Sequence, residues 1–132
     1  MIEEIERITA DGVSVAAGHY SHATAWNGLV FASGQLGARG DGSHTADQPF
    51  ETQVRQAVDN VLTVLAEAGC GPERVLRVTA YIVGVENWPA FNRVYAEAFG
   101  NAKPARTVVP VAELHHGYLV EIEALGLRKP TD

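Results

Sequence analysis

The spacing of apolar positions along this chain switches between a period of two and a period of about 3.6, and the switches mark its elements. Runs from Glu4 to Ile8 and from Val13 to Ala17 read as short strands, with Asp11-Gly12 as the turn between them. Gly18-His19-Tyr20-Ser21-His22-Ala23 follows as a polar loop, and Leu29-Val30-Phe31-Ala32-Ser33 is apolar enough for a buried strand. That strand ends in Ser33-Gly34-Gln35, where a glycine lets backbone N–H groups come close to a ligand. Phe50, Val54, Ala57, Val58, Val61, Leu62, Leu65 and Ala68 then fall on one helical stripe. Asp47 is placed to cap that helix, Pro49 suits its first turn, and Gly69 is placed to end it.

Alternation returns from Arg74 to Val83. Leu76, Val78, Ala80 and Ile82 form an apolar face suited to packing under helices, and Arg77, Thr79, Tyr81 and Val83 form a mixed one. A second helix is expected between Asn87, as its cap, and Gly100, with Pro89 in its first turn. Its stripe holds Trp88, Phe91, Tyr95, Ala98 and Phe99, and Asn92 falls within that stripe as a polar residue needing a partner. The last strands are Arg106 to Val111 and Leu119 to Ala124, which completes the order β-β-β-α-β-α-β-β. Two amphipathic helices cover only one face of a sheet. The other face, with Arg, Thr, Tyr and Glu among Val and Leu, is too apolar to stand in water, so a homo-oligomer is expected.

Composition narrows the picture. A chain of 132 residues holds one domain with a real core, here residues 1–132 as a whole. A net charge of −6, with scattered Lys and Arg, argues against a nucleic-acid partner. No apolar run reaches membrane-spanning length, so no membrane partner is expected. The lone Cys70 fits a reducing compartment, the acidic Met1-Ile2-Glu3-Glu4 start gives no sign of a signal peptide, and a cytoplasmic location is expected.

Each of the last two strands carries a charge that an apolar strand would not carry without a reason. Arg106 shares a strand face with Val108 and Pro110, and Glu121 shares one with Leu119 and Glu123. If these strands lie close in the sheet, a guanidinium and a carboxylate line one cleft, a pair suited to a small anionic substrate. His19, His22, His115 and His116 invite a metal reading, but neighbours on a strand point apart and a metal site needs about three or four converging ligands. No metal and no cofactor are therefore expected.

Ser33-Gly34-Gln35, Glu67-Ala68-Gly69, Val78-Thr79-Ala80-Tyr81, Phe91-Asn92-Arg93-Val94-Tyr95, Pro104-Ala105-Arg106 and Val120-Glu121-Ile122-Glu123-Ala124 occur in an order and spacing that resemble the RidA/YjgF (Rid) family of enamine and imine deaminases. The resemblance spans about Gly18 to Arg128. It implies a chorismate-mutase-like α+β fold and a homotrimer with active clefts at the subunit interfaces. It also implies hydrolysis of 2-aminoacrylate-type enamines and 2-imino acids to 2-keto acids and ammonia. In that scheme Arg106 anchors the substrate carboxylate and Glu121 positions the water. Tyr20 covers the substrate, Ser33 and the Gly34 N–H contact its polar atoms, Asn92 orients loop and ligand, and Val108 lines the pocket.

Two departures from the family pattern matter. Val108 stands where many members carry Cys, and His115-His116-Gly117-Tyr118 replaces a lysine- and proline-containing turn. Two further readings therefore stand beside the first. One is a non-catalytic binder of keto acids or other small carboxylates. The other is a pathway-specific deaminase for a larger enamine such as an aminomuconate.

Overall fold

The computed structural model describes residues 4–130; residues 1–3 and 131–132, and with them most of the acidic start, lie outside it. Six strands form one mixed sheet in the spatial order β1-β2-β3-β6-β4-β5. They are β1 (Glu6–Ile8), β2 (Ala23–Trp26), β3 (Leu29–Gln35), β4 (Val75–Val83), β5 (Ala105–Val111) and β6 (Val120–Leu127). Only the pairing of β4 with β5 is parallel. Helices α1 (Phe50–Glu67) and α2 (Trp88–Phe99) pack against each other, and α1 lies across β3 and β6. This is the expected α+β arrangement, with both helices on one face.

The core lies between that face and α1. Val30, Val78, Ala80, Ile82, Val120 and Ile122 meet Val54, Ala57, Val61 and Leu65, all buried. Gly69 ends the helical region at φ 84, a conformation that glycine adopts at no steric cost.

Four local expectations need correction. The second strand is Ala23–Trp26 and not Val13–Ala17. Asn27 and Gly28 both take positive φ, 50 and 81, and the two-residue turn they form pairs β2 tightly with β3. Val13–Ala17 is irregular and is held by the buried His22, which accepts the Ala10 N–H at Nδ1 and donates from Nε2 to the Ser14 carbonyl. Leu76 is 44% exposed because a bulge between Val75 and Arg77 hands the inward position to Val75. Asp47 makes no cap: α1 begins after Pro49. Asn92 and Ala98 are exposed, since the buried stripe of α2 runs through Phe91, Val94, Tyr95 and Phe99.

Among the described residues, the far face of the sheet carries no helix. Tyr81, Glu121 and Glu123 occupy its middle, while Trp26, Phe31 and Leu127 form an exposed apolar end.

Candidate functional site

An open cleft of about 590 Å³ lies on the helix-free face. Strand β3 supplies Ser33, Gly34 and Gln35, β4 supplies Tyr81, and β6 supplies Glu121 and Glu123. Tyr20 and His44 come from loops, and His115, His116 and Tyr118 come from the turn leading into β6. Alternation along β6 explains the two acids: Val120, Ile122 and Ala124 go into the core, so Glu121 and Glu123 face the cleft.

The two acids have different surroundings. Tyr81 Oη donates to Glu123 Oε1 at 2.7 Å, and that bond holds the Tyr81 phenol above its usual pKa. Glu121 accepts no hydrogen bond from the described side chains. Burial, and then the neighbouring Glu123 charge, push its carboxyl above the ordinary glutamate range, while His115 opposes the rise.

Gly34 makes room for this carboxylate. A Cβ at that position would stand 3.2 Å from the Glu121 carboxyl carbon and 3.3 Å from Cγ, tighter than ordinary contact. Ser33 lines the cleft, and its Oγ donates to the Ser21 carbonyl at 2.6 Å, which leaves the hydroxyl only acceptor capacity. That bond also ties the Tyr20 loop to β3.

Two residues that the sequence reading passed over hold the cleft wall. Gln53 and Asn60 lie on the buried side of α1, 0% and 1% exposed. Gln53 Nε2 donates to the Ala46 and Gln48 carbonyls, and its Oε1 accepts the Leu119 N–H. Asn60 Nδ2 donates to the Leu36 and Ala38 carbonyls at 3.0 and 2.7 Å. The loop carrying Leu36, Ala38 and His44 is thereby fastened to the helix. The signal was available, because both are amides on an otherwise apolar helical face.

The remaining expected site residues lie elsewhere in the same copy. Arg106 pairs with Val78 and Val108 with Ala80, so both are on the helix side of β5, a strand at the sheet edge. Val108 is buried in the core and does not line the cleft. The Arg106 guanidinium sits 5.0 Å from the Tyr95 ring centroid and 5.6 Å from that of Phe91. Burial raises the Tyr95 phenol to about 12. Arg106 and Glu121 thus project from opposite faces of the sheet, with β4 between their strands. The expectation that the two line one cleft is not met within a single copy.

A sheet with helices on one face and a half-buried acid in a cleft on the other defines a small α+β protein with a site open to small molecules. The sequence profile of the family described as Endoribonuclease L-PSP matches residues 12–127. The chain belongs to this family, the Rid (YjgF/RidA) proteins. It is 30% identical over 129 residues to Protein HMF1 of Saccharomyces cerevisiae, covering 98% of this chain and 99% of that one. It is 32% identical over 127 residues to the 2-iminobutanoate/2-iminopropanoate deaminase of Capra hircus, covering 96% and 93%. Among solved structures, YEO7 from yeast superposes with a TM-score of 0.92 at 30% identity, over 96% of this chain and all (100%) of that one. TdcF from E. coli, crystallised with bound serine, gives 0.88 at 26% identity, over 94% and 99%. Among the described residues, no helix is long and apolar enough to cross a membrane.

Proposed function

We propose that the chain is a deaminase of reactive 2-imino acids and their enamine tautomers, working at clefts completed by a second copy. The observation that carries this reading is Glu121, a half-buried carboxylate held against Gly34 in the open cleft of a family that includes named imine deaminases. A carboxyl with a raised pKa suits proton transfer near neutral pH.

The chemistry balances with water alone. Glu121 takes a proton from water as its oxygen bonds to the C=N carbon, and the nitrogen gains a proton. Glu121 then takes the O–H proton of the resulting carbinolamine and passes it to the amine nitrogen as the C–N bond breaks, which releases ammonia and the 2-keto acid. Arg106 from the second copy fixes the substrate carboxylate through its planar fork. It stands at the sheet edge over two aromatic rings, accessible to a neighbour. Asn92, exposed on α2, belongs to the arginine side of that interface, while Val108 packs in the core beneath it. Tyr20, Ser33 and the Gly34 N–H act from the glutamate side.

The exposed Trp26, Phe31 and Leu127 on the open face are the surface such assembly would cover, as a homotrimer in this reading. A cytoplasmic location belongs to the same proposal.

The test is ammonia and keto-acid release from oxidase-generated imino acids, with native protein and with Arg106→Ala. A charge-assisted fork is worth roughly tens-fold in rate or affinity, so the variant should lose at least that much while remaining folded. An unchanged rate would remove Arg106 from the site. Saturable keto-acid binding without turnover would replace the enzyme with a carboxylate-binding protein.

A further inference from the structure

In one copy the open cleft of about 590 Å³ offers more room than a small imino acid fills, before a second copy completes it. Part of its wall is made of three imidazoles brought together from two separate segments. His44 comes from the loop fastened by Asn60 and Gln53, and His115 and His116 come from the 3-10 turn before β6. The His116 ring lies 3.7 Å from that of His115 and 4.8 Å from that of His44, centroid to centroid. His116 holds a left-handed backbone, φ 59, which is uncommon for a residue with a Cβ and keeps the ring between its neighbours.

The polarity of the wall can be traced from its hydrogen bonds. Tyr118 is 1% exposed, and its Oη accepts the Thr45 N–H at 3.1 Å. Its own proton needs an acceptor, and His44 Nδ1 lies 2.8 Å away. With Nδ1 accepting, His44 carries its hydrogen on Nε2 and remains a donor. No lysine or arginine is among the described residues lining the cleft, and its nearby acids are Glu121 and Glu123. The imidazoles are therefore the side chains of this wall that offer ring N–H donors to an anion, apart from the hydroxyls and amide of Ser14, Tyr20 and Gln35 elsewhere in the cleft. Their clustering disfavours protonation of His116, first through desolvation and then through His115 and His44, and an arriving carboxylate would relieve the repulsion.

We propose that His44, His115 and His116 form a subsite for a second carboxylate on the substrate, remote from its C=N group. The chain then prefers 2-imino dicarboxylic acids over monocarboxylic acids of the same length. This inference deepens the deaminase reading and rests on it for the reaction. The binding it requires can be measured separately.

The probes are 2-oxoglutarate and 2-oxopentanoate, stable keto acids of equal chain length that differ in a terminal carboxylate against a methyl. Calorimetric titration of the native oligomer should show 2-oxoglutarate binding roughly tenfold or more tightly. His115→Ala and His116→Asn should each bring the ratio toward one; the first replaces an exposed side chain, and asparagine tolerates the left-handed backbone of the second. Equal affinities in the native protein would overturn the subsite. A preference unchanged in both variants would overturn its assignment to the imidazoles. Because neither ligand needs to react, absence of imine turnover would sink the deaminase reading and leave this comparison standing.

Discussion

Glu121 is held in the cleft against its own solvation. Burial and the charge of Glu123 both favour its protonated form, so the folded state binds a proton more tightly than the unfolded chain does. Stability from this group is therefore present below the unfolded-state pKa and is lost as pH rises through the folded one. Glu121→Gln should raise the melting temperature at neutral pH, and the gain should shrink as pH falls toward the ordinary glutamate pKa. Under the proposed deaminase reading, the same variant should abolish turnover, and the acid limb of the native rate profile should fall at a pH above that ordinary value. A melting temperature lower than native at neutral pH would contradict the electrostatic account. Strand alternation alone left Glu121 and Glu123 equivalent, because residues two apart share a face, and only the position in the family motif singled out Glu121. What separates them is the Tyr81 bond to Glu123 and the fit of Glu121 against Gly34, and both depend on strand register.

The loop from Leu36 to Pro49 forms a wall of the cleft without regular structure of its own, so its order has to come from partners. Asn60 and Gln53 supply them by donating to the loop's carbonyls from within α1. Asn60→Ala leaves two carbonyls without their donor, which should cost about 2 kcal/mol in denaturant unfolding. Hydrogen exchange should rise first at this loop and only later in the strands. A variant with native stability and native protection would show that the loop is ordered by something else. The helices and most strands were legible because their apolar stripes are long. The hairpin of β2 and β3 was missed although Asn27-Gly28 is a strong turn signal, because Ala23–Trp26 has little apolar alternation of its own. Val13–Ala17 alternates convincingly, yet the buried His22 takes the Ser14 carbonyl within it and the Ala10 N–H just before it.

At the scale of the whole molecule, the sheet order decides how a site can be assembled. The two charges that stand out in the sequence sit on β5 and β6, next to each other along the chain but separated in space by β4 and facing opposite ways. Alternation along a strand fixes the face of each residue relative to its own neighbours, but not which face meets the helices, so the sequence could not show this. If the proposed cleft draws Glu121 from one copy and Arg106 from the next, two inactive variants should rescue each other. Arg106→Ala keeps the acid and Glu121→Gln keeps the fork. Equal mixing, with dissociation and reassembly, pairs an intact acid with an intact fork at about a quarter of the sites of a cyclic assembly. Recovery of about a quarter of native activity, from two preparations that are inactive alone, is the expected result. No recovery, with mixed oligomers demonstrated by mass, would mean that both groups act within one copy or that one of them does not act at all.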